Sequence, residues 1–188
     1  MLSNINRKRL KTMIIDMALR SQSVTLSSGK SSEYYIDGKI VASDPDGGPL
    51  IADAIKDIIG TTQIDSVGGP TIGADFMLGA LSGKGYFRTF IIRKAPKEYG
   101  LNKWIEGQLN ENDKKVAIID DVATTGGSIL KAIEAVKGEF PRVEIVKVVV
   151  LVDREEGAKE KLKEKGYAME SVFKANELFF CKKNDIFQ

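Results

Sequence analysis

The chain has no histidine, one cysteine and five prolines among its 188 residues. The missing histidine excludes Ser–His and Cys–His nucleophilic machinery, a histidine general base and any histidine-ligated metal. Cys181 alone cannot form an internal disulfide, so a reducing compartment, the cytoplasm, is expected. It reads as a packing residue near the C-terminus rather than a nucleophile. Long apolar runs are lacking too. The longest, Val148–Val152, falls far short of the ~20 residues that span a bilayer. Met1 to Leu10 is polar and basic without an apolar stretch, so no signal peptide is expected, and no membrane partner. An excess of charge is also missing: 28 basic residues face 26 acidic ones, for a net +2. That argues against a chain-wide nucleic-acid surface. No repeat or low-complexity segment breaks the chain. What is present, 43% apolar and 29% charged residues, suits one folded domain over residues 1–188.

The hydrophobic period alternates between strand and helix. Ile5 to Leu19 carries Leu10, Ile14, Met17 and Ala18 at helical spacing. Thr25 to Lys39 is short, polar and aromatic, and reads as hairpin or loop. Pro49 to Ile59 is predicted as a helix closed by Gly60. Ile64–Val67 predicts a short strand running into Gly68-Gly69-Pro70, and Ala74–Leu81 a helix. Thr89–Arg93 predicts a strand. Lys94 to Lys114 has no clean period. Then follow a strand over Val116–Asp120, a helix over Gly127–Lys137, a strand over Glu144–Val152 and a polar helix over Gly157–Lys165. Unbroken apolar strands alternating with helices predict an α/β fold whose mostly parallel sheet is covered on both faces. Ligands of such sheets gather at the carboxyl ends of the strands.

The strongest motif lies at one such end: Val116-Ala-Ile-Ile-Asp120-Asp121-Val122-Ala123-Thr124-Thr125-Gly126-Gly127-Ser128, leading into a helix. Glycines let backbone N–H groups approach a phosphate, and the helix N-terminus adds positive partial charge. Thr124, Thr125 and Ser128 add hydroxyl donors. Asp120 and Asp121 would repel a phosphate at contact, so they suit a diol that offers two donors, such as ribose. Ser28-Gly29-Lys30-Ser31 imitates the end of a Walker A loop, but Val24 occupies the earlier glycine position. No strand-linked G-x-G-x-x-G predicts a dinucleotide.

The segment resembles the binding motif for phosphoribosyl pyrophosphate (PRPP) of type I phosphoribosyltransferases. That resemblance implies a central sheet flanked by helices, with a small hood from about residues 1–45 plus C-terminal segments and a core over about 46–170. It implies that Asp120 and Asp121 hold the ribose hydroxyls. Val122, Ala123, Thr124, Thr125, Gly126, Gly127 and Ser128 then wrap the 5′-phosphate. Three further segments extend the likeness over nearly the whole chain: Leu26 to Asp37, Val67 to Asp75, and Val150 to Gly157. In this order they resemble the orotate phosphoribosyltransferases. By that resemblance Gly29, Lys30, Tyr34 and Tyr35 line the base pocket with Thr124. Gly69, Pro70, Thr71 and Ile72 hold pyrophosphate through backbone groups. Arg154 grips the orotate carboxylate, a role that suits its planar fork just past the end of a buried strand. Other readings of these residues are an Arg154 ion pair with Glu155 or Glu156 on a solvated turn, tyrosines in a strand, and a plain glycine turn.

Arg93-Lys94-Ala95-Pro96-Lys97-Glu98-Tyr99-Gly100 opens the patternless stretch, and its cations suit a departing pyrophosphate. It resembles the family's mobile catalytic loop, about residues 94–107, which enters the neighbouring subunit's site. That implies a homodimer and makes Arg93, Lys94 and Lys97 catalytic, with Tyr99 beside PRPP. Tyr99 stands where many members have histidine, Leu101 and Asn102 where they have Thr and Gly, and Gly73 where some have lysine. The family also implies Mg²⁺, held mainly by substrate oxygens, with Asp120 and Asp121 acting at most through water. Two rival readings stay open: transfer to another base such as a purine, and a PRPP-sensing regulator.

Overall fold

The chain opens with α1 (Asn4–Met13), capped by the Ser3 hydroxyl, which accepts from the Asn6 amide at 3.2 Å. The expected helix changes character at its end. Ile14–Ala18 make a π-helical turn, and Leu19–Arg20 extend as β1. β2 (Val24–Thr25) and β3 (Ser31–Ser32) then form a two-residue antiparallel ladder. β4 (Tyr35–Ile36) pairs with β1, Leu19 opposite Ile36, and this pairing draws Leu19 out of the helix. Two helices follow, α2 (Gly38–Ala42) and α3 (Gly47–Ile59), the latter ended by Gly60 at φ 61°. The computed structural model describes residues 3–20, 24–25, 31–32, 34–96 and 103–184, with the backbone alone for 24–25, 31–32 and 180–184.

β5 (Ser66–Pro70), α4 (Asp75–Gly83), β6 (Arg88–Ile92), β7 (Ile105–Gly107), β8 (Lys115–Ala123), α5 (Gly127–Glu139), β9 (Glu144–Asp153), α6 (Ala158–Glu164), β10 (Met169–Lys174) and α7 (Ala175–Asn184) complete the order. The sheet runs β10-β9-β8-β5-β6-β7. Every neighbouring pair is parallel except β6–β7. β8 and β9 are buried on both faces, and their residues alternate between two apolar clusters. Ala117, Ile119, Val149 and Leu151 join Leu10, Ile14, Ile51, Ile55 and Phe173 on one face. Val116, Ile118, Val148 and Val150 join Ile129, Ile133, Val136 and Leu162 on the other. The hood segments α1, β1 and β4 therefore share the first cluster with α3 rather than owning a core. Arg7 ties α1 to the C-terminal elements: it donates to Val172 O at 2.7 Å, pairs with Glu177 at 3.1 Å and lies over the Phe173 ring.

Two expectations change, and one alternative falls. The alternative of a plain glycine turn at Gly68-Gly69-Pro70 does not hold, since all three residues lie in β5. Tight packing demands the glycines. A methyl on Gly68 would lie 2.0 Å from the Phe90 ring, and one on Gly69 would lie 2.4 Å from both Ala74 Cβ and Ile119 O. Ile105–Gly107, expected inside the long patternless stretch, is an edge strand on β6. β8 runs on through both acids to Ala123, because β9 is long enough to pair Val122 with Val152 and Ala123 with Asp153. β10 and α7 lie beyond the elements the periodicity predicts. Among the described residues no helix is long and apolar enough to cross a membrane.

Candidate active site

The parallel strands β5, β6, β8 and β9 end at Pro70, Ile92, Ala123 and Asp153, and the candidate residues collect at that edge. Leaving β8, the chain turns through Thr124–Gly126 into α5. Gly126 takes φ 72°, and no side chain caps the helix. The first amides of α5 thus remain for an anion. Thr124 and Thr125 are half-buried in this turn, while Ser128 is exposed and reaches back to Asp120 Oδ2 at 3.4 Å.

Asp120 is 5% exposed. Its Oδ1 accepts from the Asp121 amide at 3.0 Å, and Asp121 Oδ1 accepts from the Val122 amide at 2.8 Å. Burial, and then the charge of Asp121, push the Asp120 carboxyl well above the usual carboxylate range. Burial also raises Asp121, opposed by the Lys39 ammonium 3.8 Å from its Oδ2. Two adjacent buried carboxylates do not both ionise easily.

The segment after β5 closes over this pair. Thr71 N donates to Ile92 O at 2.9 Å, and the Thr71 hydroxyl donates to Asp75 Oδ2 at 2.8 Å. The Thr71–Ile72 peptide is cis. Ile72 is 56% exposed. A methyl on Gly73 would stand 2.6 Å from Asp120 Oδ1 and 2.7 Å from Asp121 Oδ1, so the loop backbone touches the acids. Gly69, Pro70, Thr71 and Ile72 are thus brought beside Asp120 and Asp121.

Arg154 follows β9, and its amide bonds Ala123 O at 2.9 Å. Its side chain is only 2% exposed. The guanidinium lies 4.1 Å over the Tyr34 ring, and Nε and Nη2 both lie 2.8 Å from Glu156 Oε1. The reading as an ion pair on a solvated turn holds for the partner, Glu156, but not for the solvent. Tyr34 meets Phe179 of α7 edge-on at 4.5 Å. Its hydroxyl is raised by burial, against the lowering charge of Arg154. Tyr35 is 38% exposed.

Arg93 stands where β6 ends. Its amide donates to Trp104 O at 2.9 Å, and its guanidinium lies 3.8 Å from Glu106. Lys94 is exposed. Gly29, Lys30, Lys97 and Tyr99 lie outside the described residues, as does the Cys181 side chain. Sequence reasoning passed over Lys39, Asp37 and Asp75. Asp37 caps α2 by accepting from the Lys39 amide, which is a local signal, but nothing local relates Lys39 to Asp121. A cavity of about 480 Å³ between β7 and the C-terminal end of α5 has none of these residues in its lining.

Among the described residues no group of three or more acidic or cysteine side chains could hold a metal ion. Two carboxylates are donors of the kind that would meet a substrate-bound cation through water rather than cage it.

Residues 39–177 match the model of the phosphoribosyl transferase domain. An orotate phosphoribosyltransferase of Methanopyrus kandleri is 41% identical over 175 residues, covering 93% of this chain and 92% of that one. Another, of Aquifex aeolicus, is 40% identical, covering 81% and 85%. The crystal structure of Mycobacterium tuberculosis orotate phosphoribosyltransferase in complex with PRPP superposes with a TM-score of 0.77 at 29% identity, covering 92% of this chain and 98% of that one. The chain belongs to the phosphoribosyltransferase family and, within it, to the orotate phosphoribosyltransferases.

Proposed function

We propose that this chain joins the phosphoribosyl group of PRPP to orotate, giving orotidine 5′-monophosphate and pyrophosphate, a step of pyrimidine nucleotide biosynthesis. The observation that carries the reading is the meeting, at one sheet edge, of the acid pair on β8, the uncapped start of α5 and the buried Arg154 fork. The turn from Thr124 to Ser128 and the first amides of α5 hold the 5′-phosphate. Asp121, and Asp120 behind it, accept the ribose hydroxyls. Backbone groups of Gly69–Ile72 hold the pyrophosphate. Arg154, stacked on Tyr34, recognises the orotate carboxylate, with Tyr35, Gly29, Lys30 and Thr124 around the ring.

In the reaction the bond from the ribose carbon to pyrophosphate breaks, and its electron pair leaves with the pyrophosphate. The orotate ring nitrogen forms the new bond. No histidine is available as base, so orotate's own acidity releases the proton, with Tyr99 as a minor helper. Arg93, Lys94 and Lys97 stabilise charge on the leaving group. The loop that carries them excludes water that would otherwise hydrolyse PRPP. Asp120 and Asp121 would hold a substrate-bound Mg²⁺ at most through water, and the ion would supply positive charge against the pyrophosphate. The chain works in the cytoplasm as a homodimer whose catalytic loops cross between subunits.

One observation favours a second reading, transfer to a base without a carboxylate: Arg154 already pairs with Glu156. The test is kcat/KM for orotate, uracil and hypoxanthine at saturating PRPP and Mg²⁺. The proposal expects orotate to exceed uracil by about 10⁴-fold, because a site built for a charged group rejects the analogue lacking it. Equal use of the three bases, or preference for hypoxanthine, would overturn it.

A further inference from the structure

Lys39 lies outside every motif considered so far, yet its ammonium reaches the acid pair. It is 2.5 Å from Asp37 Oδ1 and 3.8 Å from Asp121 Oδ2. Asp37 also accepts from the Lys39 amide at 3.2 Å, so one carboxylate fixes both the backbone and the ammonium of this residue. Asp121 is held in turn. Its Oδ1 takes the Val122 amide, while its Oδ2 faces the ammonium. Glycine backbones close two further sides. A methyl on Gly38 would meet Asp121 Cβ at 2.9 Å, and one on Gly73 would meet Asp121 Oδ1 at 2.7 Å. Little freedom is left for this carboxylate. The side chains of Lys39 and Asp121 are 28% and 14% exposed, so solvent screens their attraction only in part. Beside Asp120, an unopposed Asp121 charge would be repelled.

We propose that Lys39 is a positioning residue of the PRPP site, holding the Asp121 carboxylate toward the ribose hydroxyls from the start of α2. The proposal rests on the assignment of the acid pair to ribose. It links the hood to the cradle: the segment that carries Tyr34 and Tyr35 also steadies the acid on β8. A lysine merely fastening a surface turn would affect unfolding and leave ligand affinity alone.

The test is calorimetric titration of PRPP with Mg²⁺ and no base, on the intact protein. The set is wild type, Lys39→Met, Lys39→Gln, Lys39→Arg, Asp121→Asn and the Lys39→Met/Asp121→Asn double variant. Lys39→Met is expected to weaken PRPP binding about 10-fold, the scale of a partly screened ion pair at this distance. Lys39→Arg should restore affinity to within about 3-fold of wild type, since the charge returns on a longer arm. In the Asp121→Asn background, Lys39→Met should add less than about 2-fold, because residues acting through one another are not additive. The KM for orotate should stay at the wild-type value in Lys39→Met. Lys39→Gln stands in should the methionine variant not fold. Wild-type affinity in Lys39→Met or Lys39→Gln would overturn the proposal. So would a full loss that persists in the Asp121→Asn background. A wild-type protein that binds no PRPP would instead bring down the ribose assignment beneath it.

Discussion

Arg154 combines a full charge with a nearly closed environment. Its fork lies over Tyr34, and Glu156 takes its Nε and Nη2. A buried guanidinium left without a partner is costly, so a residue so placed either serves the fold through Glu156 or awaits a second anion. The two roles separate experimentally. Arg154→Ala is expected to lower kcat/KM for orotate by roughly 10- to 100-fold, from the loss of charged hydrogen bonds. Uracil should be affected far less, so the ratio narrows. An unchanged ratio would leave Arg154 a structural partner of Glu156. The acid pair gives a second contrast. Asp120 is pushed well above the usual range by burial and by Asp121, whereas Asp121 faces Lys39. An amide imitates a protonated carboxyl closely and an ionised one poorly. Asp121→Asn is therefore expected to raise the KM for PRPP more than Asp120→Asn does, and steady-state kinetics of the two variants check the order. The reverse order would put the working charge on Asp120. Most of these side chains were legible in the sequence because motif and strand end coincide. Lys39 was not, since its partner Asp121 is distant in sequence and only folding joins them. Asp75, bonded to Thr71 beside the expected pyrophosphate segment, also carried no signal of its own.

At the scale of elements, β5 decides how close the loop behind it can come to β8. Its glycines leave room for the Phe90 ring, Ala74 and the Ile119 carbonyl. Gly69→Ala would force a methyl to within 2.4 Å of backbone on β8, so something must shift. Overpacking of this kind costs about 1–3 kcal/mol. A lower midpoint in urea unfolding together with weaker pyrophosphate inhibition is the expected result, and unchanged values for both would show that the strand yields freely. The sequence made β8 and β9 legible because they are apolar on both faces, and α3 because its period is clean and Gly60 stops it. It gave no sign of β7, where Ile105 and Gly107 flank an exposed Glu106 in too short a run for alternation to register. Nor did it suggest that β8 passes through two aspartates. Acids predict a strand's end when water takes over, but here the longer β9 keeps offering a ladder. The first helix was read to Leu19, whereas α1 ends at Met13, a π-helical turn follows to Ala18, and Leu19 joins β1, where pairing with β4 outweighs local propensity.

Across the whole molecule, two apolar clusters grip the sheet, one on each face, and the hood merges with the first through Leu10, Ile14 and Ile36. Arg7 and the Tyr34–Phe179 contact fasten the hood to the last strand and helix. Anything that moves the hood therefore reaches Tyr34, Lys39 and the acid pair together. The proposed crossing of catalytic loops between subunits gives a prediction at this scale. Lys97→Ala alone should lower kcat by about 10²-fold, through loss of charge stabilisation at the leaving group. Mixed with an Asp121→Asn subunit, it should regain activity, since each heterodimer then holds one site with both residues intact. A mixture no more active than its parents would show that each site is built from one chain. The central claim, transfer of phosphoribosyl to orotate, is tested most directly by incubating the protein with orotate, PRPP and Mg²⁺ and following orotate absorbance while identifying the products. The account predicts orotidine 5′-monophosphate and pyrophosphate in equal amounts, formed only when both substrates are present. Orotate left unconsumed by a folded protein that binds PRPP would contradict it.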